Sequence, residues 1–105
     1  HVREGGEYAD TAGVTKGAED QTGLYVWGAS VVLAQWFTST PSLRSELEGR
    51  SVCELGAGCG VPGLAAAVVA NAQSVLLTDL RLATLEILRH NVQLNQQVAP
   101  ACEVR

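Results

Sequence analysis

Apolar residues are unevenly distributed along this chain of 105 residues. They are dense from Gly23 onward, whereas residues 1–22 consist mainly of glycine, alanine, threonine and charged residues. A segment with so few apolar side chains has little surface to bury in a core. We therefore predict a flexible N-terminal lead-in over residues 1–22 and one small domain over residues 23–105.

Three segments have the pattern of helices. The first and the third place apolar residues at steps of three and four, so that one face of the helix is apolar. The first begins near Tyr25 and ends before Pro41, and we expect Trp36 in its buried face; residues 41–47 form a further short helix or turn. A second, alanine-rich segment follows Pro62, a residue that the first turn of a helix tolerates. The third segment ends near Asn95. Their sequences are VWGASVVLAQWF, LAAAVVANA and the stretch that contains Leu82, Leu85, Leu88 and Val92.

Short apolar runs between these helices have the pattern of buried strands. They are SVCEL after Gly49, SVLLT from Ser74 to Thr78, and ACEVR at residues 101–105. Strands that alternate with helices along a chain form a parallel sheet with right-handed crossovers. The fold class we predict is therefore α/β, a Rossmann-like doubly wound parallel sheet of about three strands with flanking helices.

The distribution of charged and apolar residues argues against two classes of partner, nucleic acids and membranes. The formal net charge is -4, and the arginines are scattered rather than clustered. Nucleic-acid binding depends on clustered positive charge, so we expect no nucleic-acid partner. Every apolar run is interrupted by glycine or polar residues before it reaches bilayer length, so we expect no membrane partner either.

The three cysteines, Cys53, Cys59 and Cys102, do not form a recognisable framework. Their odd number and wide spacing argue against disulfides, and no C-x-x-C spacing indicates a zinc site. We expect all three to be structural, as small buried side chains, and metal-binding residues are not predicted. Free cysteines are typical of a reducing compartment such as the cytoplasm.

The glycine cluster GAGCGVPG, residues 56–63, joins the first predicted strand to the second long helix. In a doubly wound sheet this strand-to-helix turn is where nucleotide-like ligands bind. Glycines allow the backbone to approach such a ligand closely. The segment is therefore the candidate binding site.

Two alignments of this loop imply different cofactors. Gly58, Gly60 and Gly63 match G-x-G-x-x-G, the dinucleotide pattern, with Asp79 at the distance expected for a ribose-binding acid. Alternatively, Glu54 begins an E-x-G-x-G-x-G pattern, in which an acid faces the ammonium group of S-adenosylmethionine (SAM). A carboxylate there would repel a pyrophosphate, which favours SAM. Asp79 serves both alternatives, because a carboxylate accepts two ribose hydroxyls.

From Thr22 to Asn95 the chain resembles the SAM-dependent methyltransferases, and within them the protein-lysine methyltransferases that modify translation elongation factors and chaperones. The resemblance rests on TGLYVWGASVVLAQWF, GRSVCELGAGCGVPGLAAA, and LLTDL with LEILRHNVQLN. It implies that Asp79 holds the ribose, that Leu80 lies beside the adenine, and that Trp27 packs against the cofactor. It implies a methionine-binding role for Glu54, Gly56, Ala57, Gly58 and Gly60.

The resemblance also implies a reaction and a limit on it. The expected reaction is methyl transfer from SAM to a lysine of a protein substrate, in the cytoplasm, with the nucleus as an additional location. The family's later strands, which carry its acceptor motif, have no counterpart here, so we expect a cofactor-binding half that is inactive alone.

No catalytic residue is assigned; His90 is expected to be structural. In this fold SVCEL is flanked by a strand that has no counterpart here, so its unpaired edge predicts either self-association or a missing remainder of the protein. The alternatives are a fragment of a dinucleotide-binding oxidoreductase and a non-catalytic SAM-binding or interaction module.

Overall fold

A computed structural model describes residues 1–5 and 22–105. Its elements follow the predicted order: a 3-10 helix (Thr22–Leu24), α1 (Gly28–Ser39), α2 (Pro41–Leu47), β1 (Ser51–Glu54), α3 (Val61–Val68), β2 (Ser74–Leu77), α4 (Leu82–Leu94) and β3 (Cys102–Val104). Most of the predicted lead-in lies outside the described residues. Residues 1–5 are described, and Arg3 is hydrogen-bonded to α4.

The three strands form one parallel sheet in the order β1-β2-β3. Val52 lies beside Val75, and Leu76 lies beside Glu103. Each strand is joined to the next by a helix, so the predicted α/β class with a parallel, Rossmann-like sheet is confirmed. Within the described residues, no helix has the length and apolar content needed to cross a membrane.

The core lies between the sheet and the two helices that connect its strands. Leu77 at the centre of the sheet and Leu88 on α4 are fully buried, and Ala66 of α3 belongs to the same cluster. Because α3 and α4 both contribute to this cluster, they pack on the same face of the sheet. Small residues on α3 allow close packing, since a Cβ at Gly63 would overlap the side chain of Leu77.

The opposite face of the sheet carries a different set of side chains. Alternation along the strands places Ser51, Cys53 and Leu76 there, and the hydroxyls of Ser51 and Ser74 are 2.9 Å apart. Cys53 is exposed, so the expectation that it is a buried structural residue is wrong. Among the described residues, no helix covers this face.

The first long helix differs most from its prediction. In α1 the one buried residue is Ala34, and Trp36 is 59% exposed. The expectation that Trp36 belongs to the core is therefore wrong. The periodicity correctly predicted the helix, but in the described structure α1 packs mainly on α3 and leaves much of its apolar face uncovered.

Candidate functional site

A cavity of about 440 Å³ opens where β1 and β2 end. Its walls are the glycine loop, the start of α4, and a segment formed by the 3-10 helix and the residues before α1. Seven of the eight predicted cofactor-binding residues line it: Trp27, Gly56, Ala57, Gly58, Gly60, Asp79 and Leu80. The eighth, Glu54, does not. This volume is typical of sites for small molecules and cofactors.

The glycine loop has a backbone that few other residues would adopt. Gly60, which precedes the first turn of α3, has a φ of 83°. A Cβ there would lie 2.6 Å from Cδ1 of Leu88, so both conformation and space require glycine. Gly58 also has a positive φ, 54°, and its backbone faces the cavity. The bare turn predicted from the sequence is therefore present.

Asp79 lies immediately beyond β2 and connects that strand end to the glycine loop. Its Oδ2 accepts a hydrogen bond from the backbone N of Gly58 at 3.0 Å, and its Oδ1 accepts one from the N of Leu80 at 2.8 Å. The loop is tied to the same strand end by a bond of 2.8 Å from Ala57 N to Thr78 O. Asp79 thus braces the loop as well as facing the cavity. Oδ1 also accepts a long bond of 3.4 Å from the N of Arg81, so Oδ2, with one donor, is the oxygen that retains acceptor capacity for a ligand hydroxyl.

Glu54 has a different partner from the one that the sequence suggested. Its Oε2 accepts a hydrogen bond of 2.8 Å from the backbone N of Gly63, in the first turn of α3. Burial raises the pKa of Glu54 from 4.5 to about 7, and the bond from Gly63 opposes this shift. In this structure Glu54 therefore caps α3 from behind the loop. Its predicted contact with a ligand ammonium group stays a prediction.

Trp27 stands at the entrance of the cavity, before the first residue of α1. Its side chain is more than half exposed, and its Nε1 donates to the carbonyl oxygen of Thr22 at 2.8 Å. The indole is thus oriented by the 3-10 helix instead of being buried in a core. Leu80 lies across the cavity and is 92% exposed. Two large apolar side chains therefore border the cavity with their surfaces open.

Cys59 also lines the cavity, although the sequence assigned it no role there. The side chain is buried, and its thiol lies 3.8 Å from the carbonyl oxygen of Gly23. Burial, and secondarily the negative charge of Glu4, raise the pKa of the Cys59 thiol. Its thiol therefore stays protonated and fills space, in agreement with a structural role.

Sequence reasoning missed the wall opposite the glycine loop. Thr22, Gly23, Tyr25, Val26 and Thr84 all line the cavity. Four of them belong to the TGLYVW stretch. This stretch was part of the evidence for the resemblance, but only one of its residues, Trp27, was predicted to contact the cofactor. A three-residue 3-10 helix has no periodicity that reveals it. Thr84 is fully buried on α4, where it had the appearance of an ordinary helix residue.

Comparison with known protein families identifies the family of this chain. A sequence profile of the family described as lysine methyltransferase matches residues 11–105. The chain belongs to this lysine methyltransferase family. The resemblance seen in the sequence is thereby confirmed, and the glycine loop with Asp79 occupies the middle of the region that the family profile covers.

Curated proteins that are similar in sequence to this chain are also named as protein methyltransferases. The chain is 38% identical over 74 residues to the human protein-lysine N-methyltransferase EEF2KMT, covering 70% of this chain and 22% of that protein. It is 38% identical over 74 residues to the human putative protein N-methyltransferase FAM86B1, covering 70% and 22%. It is 40% identical over 79 residues to the mouse histone-arginine methyltransferase METTL23, covering 71% and 28%. The chain thus spans about a fifth of the length of the first relatives that it matches.

Proposed function

We propose that this protein is a SAM-dependent methyltransferase whose acceptor is a lysine side chain of another protein, and that the described residues form its SAM site. The observation that carries the proposal is the pair of acids around the glycine loop. Asp79 faces the cavity beside Gly58, while Glu54 occupies the N–H of Gly63 behind the loop. Membership of the lysine methyltransferase family supports the reaction class.

The cavity suits SAM in size and in chemistry. Its volume of about 440 Å³ is adequate for a nucleoside joined to an amino acid. Asp79 offers its carboxylate, with Oδ2 the less occupied oxygen, to the ribose hydroxyls, and Leu80 offers an apolar surface to a base. The positive-φ backbone at Gly56 and Gly58 permits close approach of the methionine part. Bound SAM supplies a methyl group already activated on a sulfonium, so the protein's task is to hold and orient it.

The start of α3 argues against the dinucleotide alternative. A pyrophosphate binds at a helix N-terminus because the first N–H groups have no partners within the helix. Here Pro62 has no N–H, and the N–H of Gly63 donates to the Glu54 carboxyl group. A second anion at this place would also lie next to Glu54 itself. These features favour a ligand that brings a cationic rather than an anionic group to the loop.

Calorimetric titration of the protein with SAM, S-adenosylhomocysteine and NAD tests this cofactor assignment. We expect heat of binding with the first two ligands and none with NAD. Binding of NAD in preference to SAM would overturn the proposal.

The acceptor is the part of the proposal that rests most on relatives. EEF2KMT is named as a protein-lysine methyltransferase, whereas METTL23 is named as a histone-arginine methyltransferase. The family description favours lysine. We assign no catalytic base. Incubation with tritiated SAM and candidate proteins, followed by mass spectrometry of the labelled peptides, distinguishes methyl-lysine from methyl-arginine.

Two further parts of the proposal concern where and in what state the protein acts. The three cysteines are free, which supports a reducing compartment, and we propose the cytoplasm, with the nucleus as a second location. Fractionation of cells that express the tagged protein tests this. The edge position of β1 supports self-association through that strand.

A further inference from the structure

Asn91 is a fully buried polar side chain whose hydrogen bonds all leave its own helix. It is 0% exposed, on α4. Its Nδ2 donates to the carbonyl oxygen of Cys59 in the glycine loop at 3.0 Å. The same nitrogen donates to the carbonyl oxygen of Arg3 at 3.0 Å, and Oδ1 accepts from the N of Arg3 at 2.6 Å. One side chain therefore connects the loop to the first residues of the chain.

Residues 1–5, which we term the strap, are hydrogen-bonded in turn to residues 22–27, which form the cavity wall opposite the glycine loop. Gly5 N donates to the carbonyl oxygen of Leu24 at 2.8 Å. Glu4 Oε1 accepts from the N of Val26 at 2.6 Å. These two bonds hold the stretch of residues 22–27 from behind, and that stretch contains Trp27 and four other lining residues.

The bonds therefore form one continuous path across the site. It runs from the Cys59 carbonyl through Asn91 to the strap, and from the strap to residues 22–27. The two walls of the cavity also meet directly at Gly23, whose carbonyl oxygen lies 3.8 Å from the Cys59 thiol. A buried amide with all its bonds satisfied specifies one geometry, because any displacement leaves a donor unpaired.

We propose that Asn91 is a positioning residue for the cofactor: through the strap and the Cys59 carbonyl it sets the distance between the glycine loop and the wall of residues 22–27. This inference rests on the proposed function, since the cofactor in question is SAM. It adds that the site extends to residues which do not line the cavity. Asn91 does not itself line the cavity, and its side-chain hydrogen bonds go to backbone groups of other segments.

The principal test is Asn91→Asp, which keeps the size of the side chain and removes both N–H donors. A carboxylate oxygen then faces the carbonyls of Cys59 and Arg3. We expect the Kd for SAM to rise about tenfold, the effect of losing roughly one net hydrogen bond. Val75→Ala is the matched control: it removes buried volume at the start of β2, away from the cavity, and should lower the melting temperature without changing this Kd.

A second readout needs no cofactor. The sequence has two tryptophans, so Trp36→Phe leaves Trp27 as the single tryptophan, which is excited selectively over the two tyrosines, and Trp36 does not line the cavity. In this background we expect Asn91→Asp to increase quenching of Trp27 by acrylamide, whereas Val75→Ala leaves it unchanged. If the parent chain binds no SAM, the proposed function fails, while this fluorescence signal still tests the positioning role.

A variant of the strap keeps the proposal testable if Asn91→Asp does not fold. A Cβ at Gly5 would overlap the side chain of Ile87, so Gly5→Ala displaces the strap while Asn91 and the glycine loop stay intact. We expect weaker SAM binding and greater Trp27 quenching, in the same direction as for Asn91→Asp. Unchanged binding and quenching in Gly5→Ala, or in a folded Asn91→Asp, overturns the proposal.

Discussion

Glu54 combines two opposing influences at one carboxyl group. Burial raises its pKa from 4.5 to about 7, and the hydrogen bond from the N of Gly63 works against that rise. A folded-state pKa above the unfolded value means that the folded protein binds the proton more tightly. The stability gained from protonation is complete below pH 4.5 and is lost as the pH rises to about 7.

We therefore predict that the free energy of unfolding falls between pH 4.5 and pH 7, by about 1–2 kcal/mol after allowance for solvent screening. Glu54→Gln should remove this fall, because the amide still accepts a bond from Gly63 but carries no charge. Urea unfolding at a series of pH values measures it. Glu46→Gln, at an exposed position on α2, controls for the loss of one carboxylate; a Glu54→Gln profile that matches it would contradict the prediction.

Asp79 carries the most direct prediction for the ligand. In Asp79→Asn the side chain loses its charge and one of its acceptor oxygens, so it cannot hold Gly58, Leu80 and a ribose diol together. We expect the Kd for SAM to rise about 10- to 100-fold, the range for one charge-assisted hydrogen bond. Calorimetry measures this, with Glu86→Gln on the exposed part of α4 as the control. Equal affinities of Asp79→Asn and the parent chain would show that this carboxylate does not hold the cofactor.

These residues also show where inference from sequence ends. The location of Asp79 and of the bare turn at Gly58 beside the cavity was predictable, because it follows from their position at the end of a strand. The orientation of the Glu54 side chain was not predictable. A carboxylate next to a helix N-terminus can bond either a backbone N–H of the helix or a ligand. Thr22 and Thr84 were missed because their role depends on how distant segments pack.

At the scale of elements, the contact between α3 and the sheet depends on one missing side chain. Gly63 lies in the first turn of α3, where a Cβ would overlap Leu77 and lie 2.7 Å from Oε2 of Glu54. We predict that Gly63→Ala lowers the free energy of unfolding by about 1–3 kcal/mol, the usual cost of overpacking. Thermal unfolding measures it as a fall of about 4–8 °C for each kcal/mol in a domain of this size.

Gly28→Ala is the matched control for that measurement. Gly28 is also in the first turn of a helix, but a Cβ there meets no atom within 4 Å. Alanine favours helix more than glycine does, so this change should leave the melting temperature equal or higher. If both variants unfold at the same temperature, the contact of α3 with the sheet is looser than the structure indicates.

The elements themselves were predictable to a different degree from their packing. The strand at Ser74 and the helix at Leu82 begin where the apolar pattern places them, because burial between neighbours imposes that pattern. The pattern of α1 was equally clear, yet Trp36 is exposed. Periodicity shows that a face is apolar, and it does not show what covers that face.

At the scale of the whole molecule, β1 presents one of the uncovered surfaces. This strand is at the edge of the sheet, Cys53 on it is exposed, and Leu55, directly after it, is 82% exposed. An edge strand presents unpaired backbone groups to other chains.

We predict that the chain self-associates through this edge at micromolar concentrations, and that Cys53→Lys shifts it toward monomer, because a charge on an edge strand opposes further pairing. Light scattering coupled to gel filtration gives the mass of each species. Cys53→Ser is the necessary control, since it removes a thiol that could link two chains while adding no charge. Association that disappears equally in Cys53→Ser, or under reducing conditions, would come from a disulfide and not from strand pairing. A parent chain that elutes as a monomer at all concentrations would show that the edge, although open, does not pair.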